Sequence, residues 1–281
     1  MAAEEVDKIL AEHVRCAHRE GVTSSDDLPF FCQPAGAATA AVLLVHGFAA
    51  TPWEMRDLAE HLAKCGFASL AVRLPGHGTT PEDLAGRRWE EWRDVVINGL
   101  DLLTGHFARV YGVGQSTGSL LLLAAARQRR PQGVILLSPY LRLRHRLAPH
   151  AGWLRYLYPY QNKPARGTAA RHYYARRPLA GVHQINRLLR ALEPRLGEIK
   201  VPVLAIHGAG DQTVDIASGR RLIDRLGSKV RVYERLGPEA PHVLTGSDNP
   251  HREVVFELAS TFLDELERGL CRGVPVPHPA G

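Results

Sequence analysis

The amino-acid sequence predicts an α/β fold in which a mostly parallel sheet carries helices on both faces. Short runs rich in Val, Ile and Leu alternate along the chain with segments of helical periodicity. These runs are apolar throughout, which is typical of strands buried on both faces of a parallel sheet. A length of 281 residues, 45% of them hydrophobic, suffices for one large core with an inserted subdomain.

The predicted elements follow in chain order. Residues 1–35 form a leading segment, whose helix is indicated by the spacing of Val6, Ile9, Leu10 and Val14. Strands are predicted over 40–47, 67–74, 109–113, 132–139, 201–208 and 229–236. Helices are predicted over 52–64, 87–105, the apolar stretch that follows Ser116, and 249–267. Together these strands and helices give a predicted core of 36–139 and 196–268.

Residues 140–195 break this rhythm and are predicted to form an inserted cap. They hold 12 Lys and Arg against one acid, Glu193, whereas the rest of the chain holds 23 against 28 acids. Such an asymmetry indicates a separately exposed segment. Residues 182–195 have the pattern of an amphipathic cap helix. The final residues, 269–281, are rich in Pro and Gly and are expected to form a flexible tail.

Composition limits the class of protein further. No apolar run approaches the ~18 residues that a membrane span requires, and the charged N-terminus does not have the pattern of a secretory signal. The four cysteines show neither a C-x-x-C pair nor the spacing of metal ligands, at Cys16, Cys32, Cys65 and Cys271. A cytoplasmic protein without metal or cofactor is therefore expected.

Ser116 lies in the sequence Gly-Gln-Ser-Thr-Gly, where a predicted strand meets a predicted buried helix. These residues alone leave two interpretations open. A serine on a strained strand-to-helix turn can serve as a nucleophile. Serine is equally a preferred N-cap residue, and glycine fits any tight turn.

Other polar residues follow the carboxyl ends of predicted strands, where sheets of this kind bind their ligands. His46-Gly47-Phe48 follows the first strand, Asp211 the strand 201–208, and His242 the last strand. With Ser116 they give the chain order Ser, Asp, His. On these residues the sequence resembles the α/β-hydrolase family, and within it microbial carboxylesterases and monoacylglycerol lipases. The resemblance spans roughly 40–265 and is carried by VHGFAATPWEMRDLAEHLAKCGF, RLPGHGTTPEDL, GVGQSTG, HGAGDQTV and PHVLTGSDN.

The resemblance implies a serine hydrolase that cleaves carboxylic esters with short or medium acyl chains, or monoacylglycerols, without a cofactor. It implies Ser116 as nucleophile, His242 as base and Asp211 as the acid that orients the histidine. The backbone N–H groups of Phe48 and Thr117 would form the oxyanion hole. Alternatives with the same triad are an acyltransferase and an aminopeptidase for small peptides. A non-catalytic ligand-binding relative is disfavoured because every triad position is intact.

Nearby residues compete for the triad roles. Asp215 fits the start of the next helix, where an acid complements the helix dipole. His207 lies within its strand, and His251 lies at the first turn of the last helix. All three are expected to be structural.

Candidate substrate contacts come from two regions. His46 and His77 lie in glycine turns that they are expected to brace, and Trp153 and Tyr156 would contribute an apolar wall for an acyl chain. The cap arginines have three interpretations. They are a solvated surface with cap-to-core salt bridges, or they attract an anionic membrane or a phosphate-bearing substrate. Nucleic-acid binding is least favoured because no RNA- or DNA-binding module is recognised.

Overall fold

A seven-stranded sheet organises the chain in this computed structural model, which describes residues 2–38, 40–163 and 168–270. The strands are β1 (Phe30–Cys32), β2 (Ala40–Val45), β3 (Ala68–Val72), β4 (Arg109–Gln115), β5 (Gly133–Leu137), β6 (Tyr160–Asn162), β7 (Arg176–Pro178), β8 (Val203–Gly208) and β9 (Arg231–Leu236). The order in the sheet is β1-β3-β2-β4-β5-β8-β9. In the sheet that the described residues form, β1 runs antiparallel to β3 and the other strands pair in parallel, while β6 and β7 form a separate antiparallel hairpin.

Helices connect the strands of the sheet. They are α1 (Ala2–Arg19), α2 (Arg56–Lys64), α3 (Pro81–Gly86), α4 (Trp89–His106), α5 (Thr117–Arg129), α6 (Ala151–Leu154), α7 (Leu179–Leu192), α8 (Ile216–Asp224) and α9 (Arg252–Glu267). Short 3-10 helices occur at Ser25–Asp27, Pro52–Met55, Ala148–His150, Thr168–His172 and Glu193–Glu198. Within the described ranges, every helix is too short or too polar to cross a bilayer.

The sheet separates two buried apolar clusters, one on each face. Strands β2, β4, β5 and β8 are buried almost throughout, and successive side chains alternate between the clusters, as Leu43 and Leu44 do. Helices α4 and α5 cover the face that includes Leu43, while α2 and α9 cover the other. The predicted α/β fold with helices on both faces is confirmed.

The predicted strands and helices are all present, with local differences. The predicted helix 52–64 begins as a 3-10 turn at Pro52, and the last helix begins only at Arg252. The delay at the last helix has a local cause, because the Asn249 side chain accepts the His251 N–H in a turn. The cap helix covers Leu179–Leu192 rather than 182–195. Strand β1 was not predicted, since three half-buried residues show no periodicity.

The cap consists of α6, the β6–β7 hairpin and α7, and it is anchored to the core at several points. Its first residues still follow the core, because Arg144 N–H donates to the Thr213 carbonyl. The His172 ring stacks on Trp53 at 4.3 Å between centroids and donates to Asp27 Oδ1 at 2.7 Å. Most of the predicted tail, 271–281, lies outside the described residues.

Candidate active site

Ser116 occupies a strained turn between β4 and α5. Its backbone has φ 55° and ψ −115°, a conformation that L-residues rarely adopt. The flanking glycines allow it: a Cβ on Gly118 would lie 2.7 Å from the His46 carbonyl oxygen, and one on Gly114 would lie 2.5 Å from the Gly118 carbonyl carbon. Although Ser116 holds the N-cap position of α5, its hydroxyl makes no capping hydrogen bond. The hydroxyl instead lies 2.8 Å from His242 Nε2.

His242 connects Ser116 to Asp211. Its Nδ1 donates to Asp211 Oδ2 at 2.6 Å, which leaves Nε2 as the acceptor for the serine hydroxyl. Asp211 is fully buried, and its Oδ1 accepts the N–H groups of Thr213 (2.7 Å) and Val214 (3.0 Å). Burial raises the pKa of Asp211, but hydrogen bonds and charge from His242 and the two backbone donors hold that pKa below its usual value.

The loop that carries His242 is fixed by two polar residues at strand ends. The His242 carbonyl accepts the Gln115 side-chain N–H at 2.9 Å and the Ser138 hydroxyl at 2.8 Å. Gln115 also accepts the Leu244 N–H, so it clamps the loop on both sides of the histidine. Sequence reasoning missed both residues. Their position at the ends of buried strands was the only available signal.

Phe48 and Thr117 flank Ser116 from two elements. Neither backbone N–H has a hydrogen-bond acceptor among the described residues. The turn before Phe48 is fixed because Gly47 N–H donates to Glu54 Oε2 at 2.6 Å. Thr117 is held by a 3.0 Å hydrogen bond between its hydroxyl and that of Tyr140. Two backbone donors of residues that line the same cavity as Ser116 therefore remain available.

His46 and His77 brace this turn and do not line the cavity. His46 is fully buried, donating from Nδ1 to the Gly47 carbonyl (2.9 Å) and accepting the Leu74 N–H at Nε2 (3.2 Å). Burial lowers the pKa of His46 to about 4 and that of His77 well below its usual value. Both imidazoles are thus neutral supports for the Phe48 turn. The expectation that His46 and His77 contact the substrate is therefore not supported, because neither lines the cavity.

Trp153 and Tyr156 lie on the outer surface of the cap, 66% and 75% exposed, and neither lines the cavity. The reason is helical spacing: Ala151 and Leu154, three residues apart, share the face of α6 that meets the cavity. Trp153 falls on another face. The expectation that these two aromatics wall an acyl site is therefore not supported.

The three competitors for the triad roles occupy structural positions, as predicted. Asp215 is the N-cap of α8 and accepts the Ala217 N–H at 3.0 Å. His207 lies within β8 and donates to the Pro139 carbonyl at 2.6 Å. His251 precedes the first turn of α9.

A cavity of about 580 Å³ contains Ser116 and His242 in its wall. Its apolar part comes mainly from Leu143 and the cap residues Leu147, Ala148, Ala151, Leu154, Leu179, Val182 and Ile185. Its polar part includes four side chains that sequence reasoning did not select as site residues: Glu54, Lys163, Tyr173 and Arg177.

Burial raises the pKa of Glu54 to about 7. An acid within an otherwise apolar turn was the only sequence signal for Glu54.

Comparison with known proteins identifies the family. A family model described as serine aminopeptidase, S33, matches residues 36–246, a range that contains Ser116, Asp211 and His242. The chain belongs to this family of α/β hydrolases. A thermostable monoacylglycerol lipase from Bacillus sp. (strain H-257) is 28% identical over 74% of this chain and 84% of its own length.

Two further proteins extend the comparison. A carboxylesterase from Bacillus subtilis (strain 168) is 21% identical over 81% of this chain and 93% of its own length. A solved structure reported for the metagenome-derived lipolytic enzymes LipS and LipT superimposes with a TM-score of 0.75 at 24% identity, covering 86% of this chain and 98% of that one. The chain is an α/β hydrolase similar to esterases and monoacylglycerol lipases.

Proposed function

We propose that the protein hydrolyses carboxylic esters through an acyl-enzyme on Ser116. The observation that carries this proposal is the hydrogen-bonded series from Ser116 Oγ to His242 (2.8 Å) and from His242 to Asp211 (2.6 Å), at the wall of a cavity. A serine hydroxyl is a weak nucleophile until a base removes its proton. His242 Nε2 is within reach of that proton.

The reaction follows from these contacts. Ser116 Oγ attacks the ester carbonyl carbon while His242 Nε2 takes the hydroxyl proton, and His242 then returns this proton to the leaving alcohol. A water molecule, deprotonated by His242, attacks the acyl-enzyme and releases the carboxylic acid. Asp211 holds Nδ1–H and stabilises the imidazolium, and its lowered pKa keeps it ionised for that task.

The oxyanion of each tetrahedral intermediate would be bound by the N–H groups of Phe48 and Thr117. Support comes from their unoccupied donors and from the bonds that fix their neighbours, Gly47 to Glu54 and Thr117 to Tyr140. Loss of one such donor typically costs about 2.7–4 kcal/mol of transition-state stabilisation.

The substrate class rests on the cavity and on the relatives. The apolar cap residues suit short or medium acyl chains or a monoacylglycerol, and the similar proteins are named as a lipase and a carboxylesterase. Cleavage of peptides from their N-terminus is less well supported. A substrate ammonium in this cavity would meet the cations Lys163 and Arg177.

The outer surface of the cap supports a second, weaker contact. Three large apolar side chains of the described part of the cap are exposed there and do not line the cavity: Trp153, Tyr156 and Leu157. Exposed arginines, among them Arg142 and Arg146, lie on the same segment. Apolar and basic groups together favour anionic lipid surfaces, so we expect more protein to co-sediment with anionic than with neutral vesicles at low salt. Equal binding to both vesicle types would contradict this.

A cytoplasmic location completes the proposal. It is supported by the free thiols of Cys16, Cys32 and Cys65, because cysteines of secreted proteins are commonly paired. Recovery of the protein in the extracellular or periplasmic fraction of its cell would contradict it.

The decisive experiment measures hydrolysis of p-nitrophenyl esters of increasing acyl length by the wild type and by Ser116→Ala. We expect kcat to fall by about 10⁶, because the triad acts as a unit. The matched controls are Asp215→Asn and His251→Gln, which alter the residues that compete for the triad roles. Both should retain most of the activity. Equal rates for the wild type and Ser116→Ala would refute the proposal.

A further inference from the structure

Two cations of the cap line the same cavity as Ser116, and the hairpin geometry brings them together. Arg177 lies opposite Gln161 in the β6–β7 register, and Lys163 follows Gln161 by two residues, with its N–H bonded to the Ala175 carbonyl at 2.7 Å. Because side chains alternate along a strand, Gln161, Lys163 and Arg177 share one face of the hairpin. All three line the cavity. We call Lys163 and Arg177 the cationic pair.

The cationic pair has no carboxylate partner within the part of the chain that the structure describes. With 164–167 outside the described residues, Arg177 Nε is buried without an acceptor, and Lys163 Nζ donates to the Thr213 hydroxyl at 3.1 Å. Other cap arginines are paired with acids of the core: Arg171 with Asp26 at 3.1 Å and Arg176 with Glu82. Two arginines adjacent in sequence thus differ, since Arg176 is neutralised on the surface and Arg177 is left unpaired in the cavity.

The two positive charges of the cationic pair repel each other. Lys163 as a whole is exposed, but partial desolvation at the cavity wall, and then the charge of Arg177, lower the pKa of its ammonium group. Burial lowers the pKa of Arg177, which remains protonated at neutral pH. Partly desolvated like charges are unfavourable unless an anion lies between or beside them. An anionic ligand would remove this repulsion and supply the missing acceptor at Nε.

Glu54 is the acid whose charge acts on Arg177, but it does not cancel the cationic pair. Its Oε2 accepts the Gly47 N–H at 2.6 Å and its Oε1 accepts the Tyr173 hydroxyl at 3.0 Å. Its pKa is raised to about 7 by burial, so that near neutral pH it carries only part of a charge. The charge of Asp211 also acts on Lys163, but the Asp211 oxygens are taken up by His242 and by two backbone N–H groups, and this residue does not line the cavity. Glu54 and Asp211 therefore both hold other donors, and neither forms an ion pair with the cationic pair.

We propose that the cationic pair binds an anionic group, a carboxylate or a phosphate, of the ester that Ser116 cleaves. This inference rests on the proposed ester hydrolysis and narrows its substrate class to esters that join an apolar part with an anion. The planar guanidinium of Arg177 can bind either anion through two N–H groups, and Lys163 adds a point charge. The apolar residues contributed by α6 and α7 would take the remainder of the substrate.

The test compares anionic esters with neutral esters of matched size. One pair is mono-p-nitrophenyl adipate and its methyl-capped form, and a second is a p-nitrophenyl ester with a terminal phosphate and its neutral alcohol. A third pair places the anion on the leaving group: the butyryl esters of 3-hydroxybenzoate and of methyl 3-hydroxybenzoate. The readout for each pair is the ratio of kcat/KM for the anionic ester to that for the neutral ester.

We expect Arg177→Gln to lower this ratio by about 10- to 100-fold in at least one pair, the range typical of a charged hydrogen-bonded contact. Lys163→Gln should lower it less. Arg176→Gln is the matched control, because it removes the neighbouring charge outside the cavity and should leave the ratio unchanged. An unchanged ratio in all three pairs for Arg177→Gln would overturn the inference while leaving ester hydrolysis intact.

A second measurement separates this inference from the proposed function. If no ester is hydrolysed, the proposed function fails, and binding of adipate and of hexyl phosphate to Ser116→Ala then tests the cationic pair directly by calorimetry. We expect binding that weakens by about 10-fold or more when Arg177→Gln is added. Equal binding of both probes in the two backgrounds would overturn the inference.

Discussion

The packing of Gly181 against Phe48 predicts that one methyl group on the cap will impair catalysis. Gly181 lies in the first turn of α7, where a Cβ would be 2.5 Å from Phe48 Cε2 and in closer contact with Cζ. Carbon atoms normally meet at about 3.5–4.0 Å, so Gly181→Ala must displace the ring by about 1 Å. The ring contacts His77 and Trp92, whose centroids lie 5.9 and 6.0 Å from its own, so these two side chains limit its movement on one side. Part of the displacement should therefore reach the Phe48 backbone.

Two effects determine how much Gly181→Ala changes the stability and the activity. Overpacking costs about 1–3 kcal/mol of stability, while alanine in place of helical glycine returns up to about 1 kcal/mol. A shift of the Phe48 N–H by a fraction of 1 Å should lower kcat/KM by about 10- to 100-fold, within the ceiling of about 10³ for complete loss of a donor. Because the proposed role of this donor is to bind the oxyanion of the transition state, the loss should be in kcat rather than in KM.

Ester kinetics together with urea unfolding would measure both effects. Gly105→Ala is the matched control, since it makes the same change near the end of α4, where nothing lies within 4 Å of the new Cβ. That variant should retain full activity and be as stable as the wild type or slightly more stable. A Gly181→Ala enzyme with wild-type kcat and a folded cap would refute the link between α7 and the proposed oxyanion donor of Phe48.

Two further predictions concern pH. The raised pKa of Glu54, about 7 against a usual 4.5, means that the native state keeps a proton the unfolded state has lost, so stability should fall by about 3 kcal/mol as pH rises from 4.5 to 7. The free energy of unfolding of Glu54→Gln, measured over the same pH range, should not show this loss. An equal loss in the variant and the wild type would contradict the prediction. Burial lowers the pKa of His207 to about 4, so about 3 kcal/mol should be lost as pH falls from 6.5 to 4. His207→Gln, which can still donate to Pro139, should not show this loss; parallel curves for variant and wild type would disprove the assignment.

Much of the fold was predictable because its signals are local. Strands such as β2 and β5 are continuous apolar runs, and the alternation of strands with helices indicates a parallel sheet with both faces covered. Strand β1 was missed because three half-buried residues carry no period. The cap helix was predicted three residues late, since its first residues, Leu179 to Gly181, lie outside the apolar pattern that defined it.

The candidate triad was predicted from residue types at strand ends together with the family resemblance. The residues that surround the candidate triad were not predicted. Gln115 reaches the His242 carbonyl across 127 residues of chain, and Tyr173 reaches Glu54 across 119. Neither contact can be recognised from a periodic pattern in the sequence. The placement of Trp153 outside the cavity likewise depends on which face of α6 packs inward.

The sequence by itself thus determined the α/β class, the order of the elements and the identity of Ser116, Asp211 and His242 as candidates. Each of these depends on neighbouring residues or on motifs within short segments. Only the tertiary structure decided that His46 and His77 are buried supports, and that Arg176 pairs with Glu82 whereas Arg177 has no carboxylate partner among the described residues. The physical reason is that burial and pairing depend on atoms brought together from distant segments, and these set the charge and hydrogen bonding of each side chain.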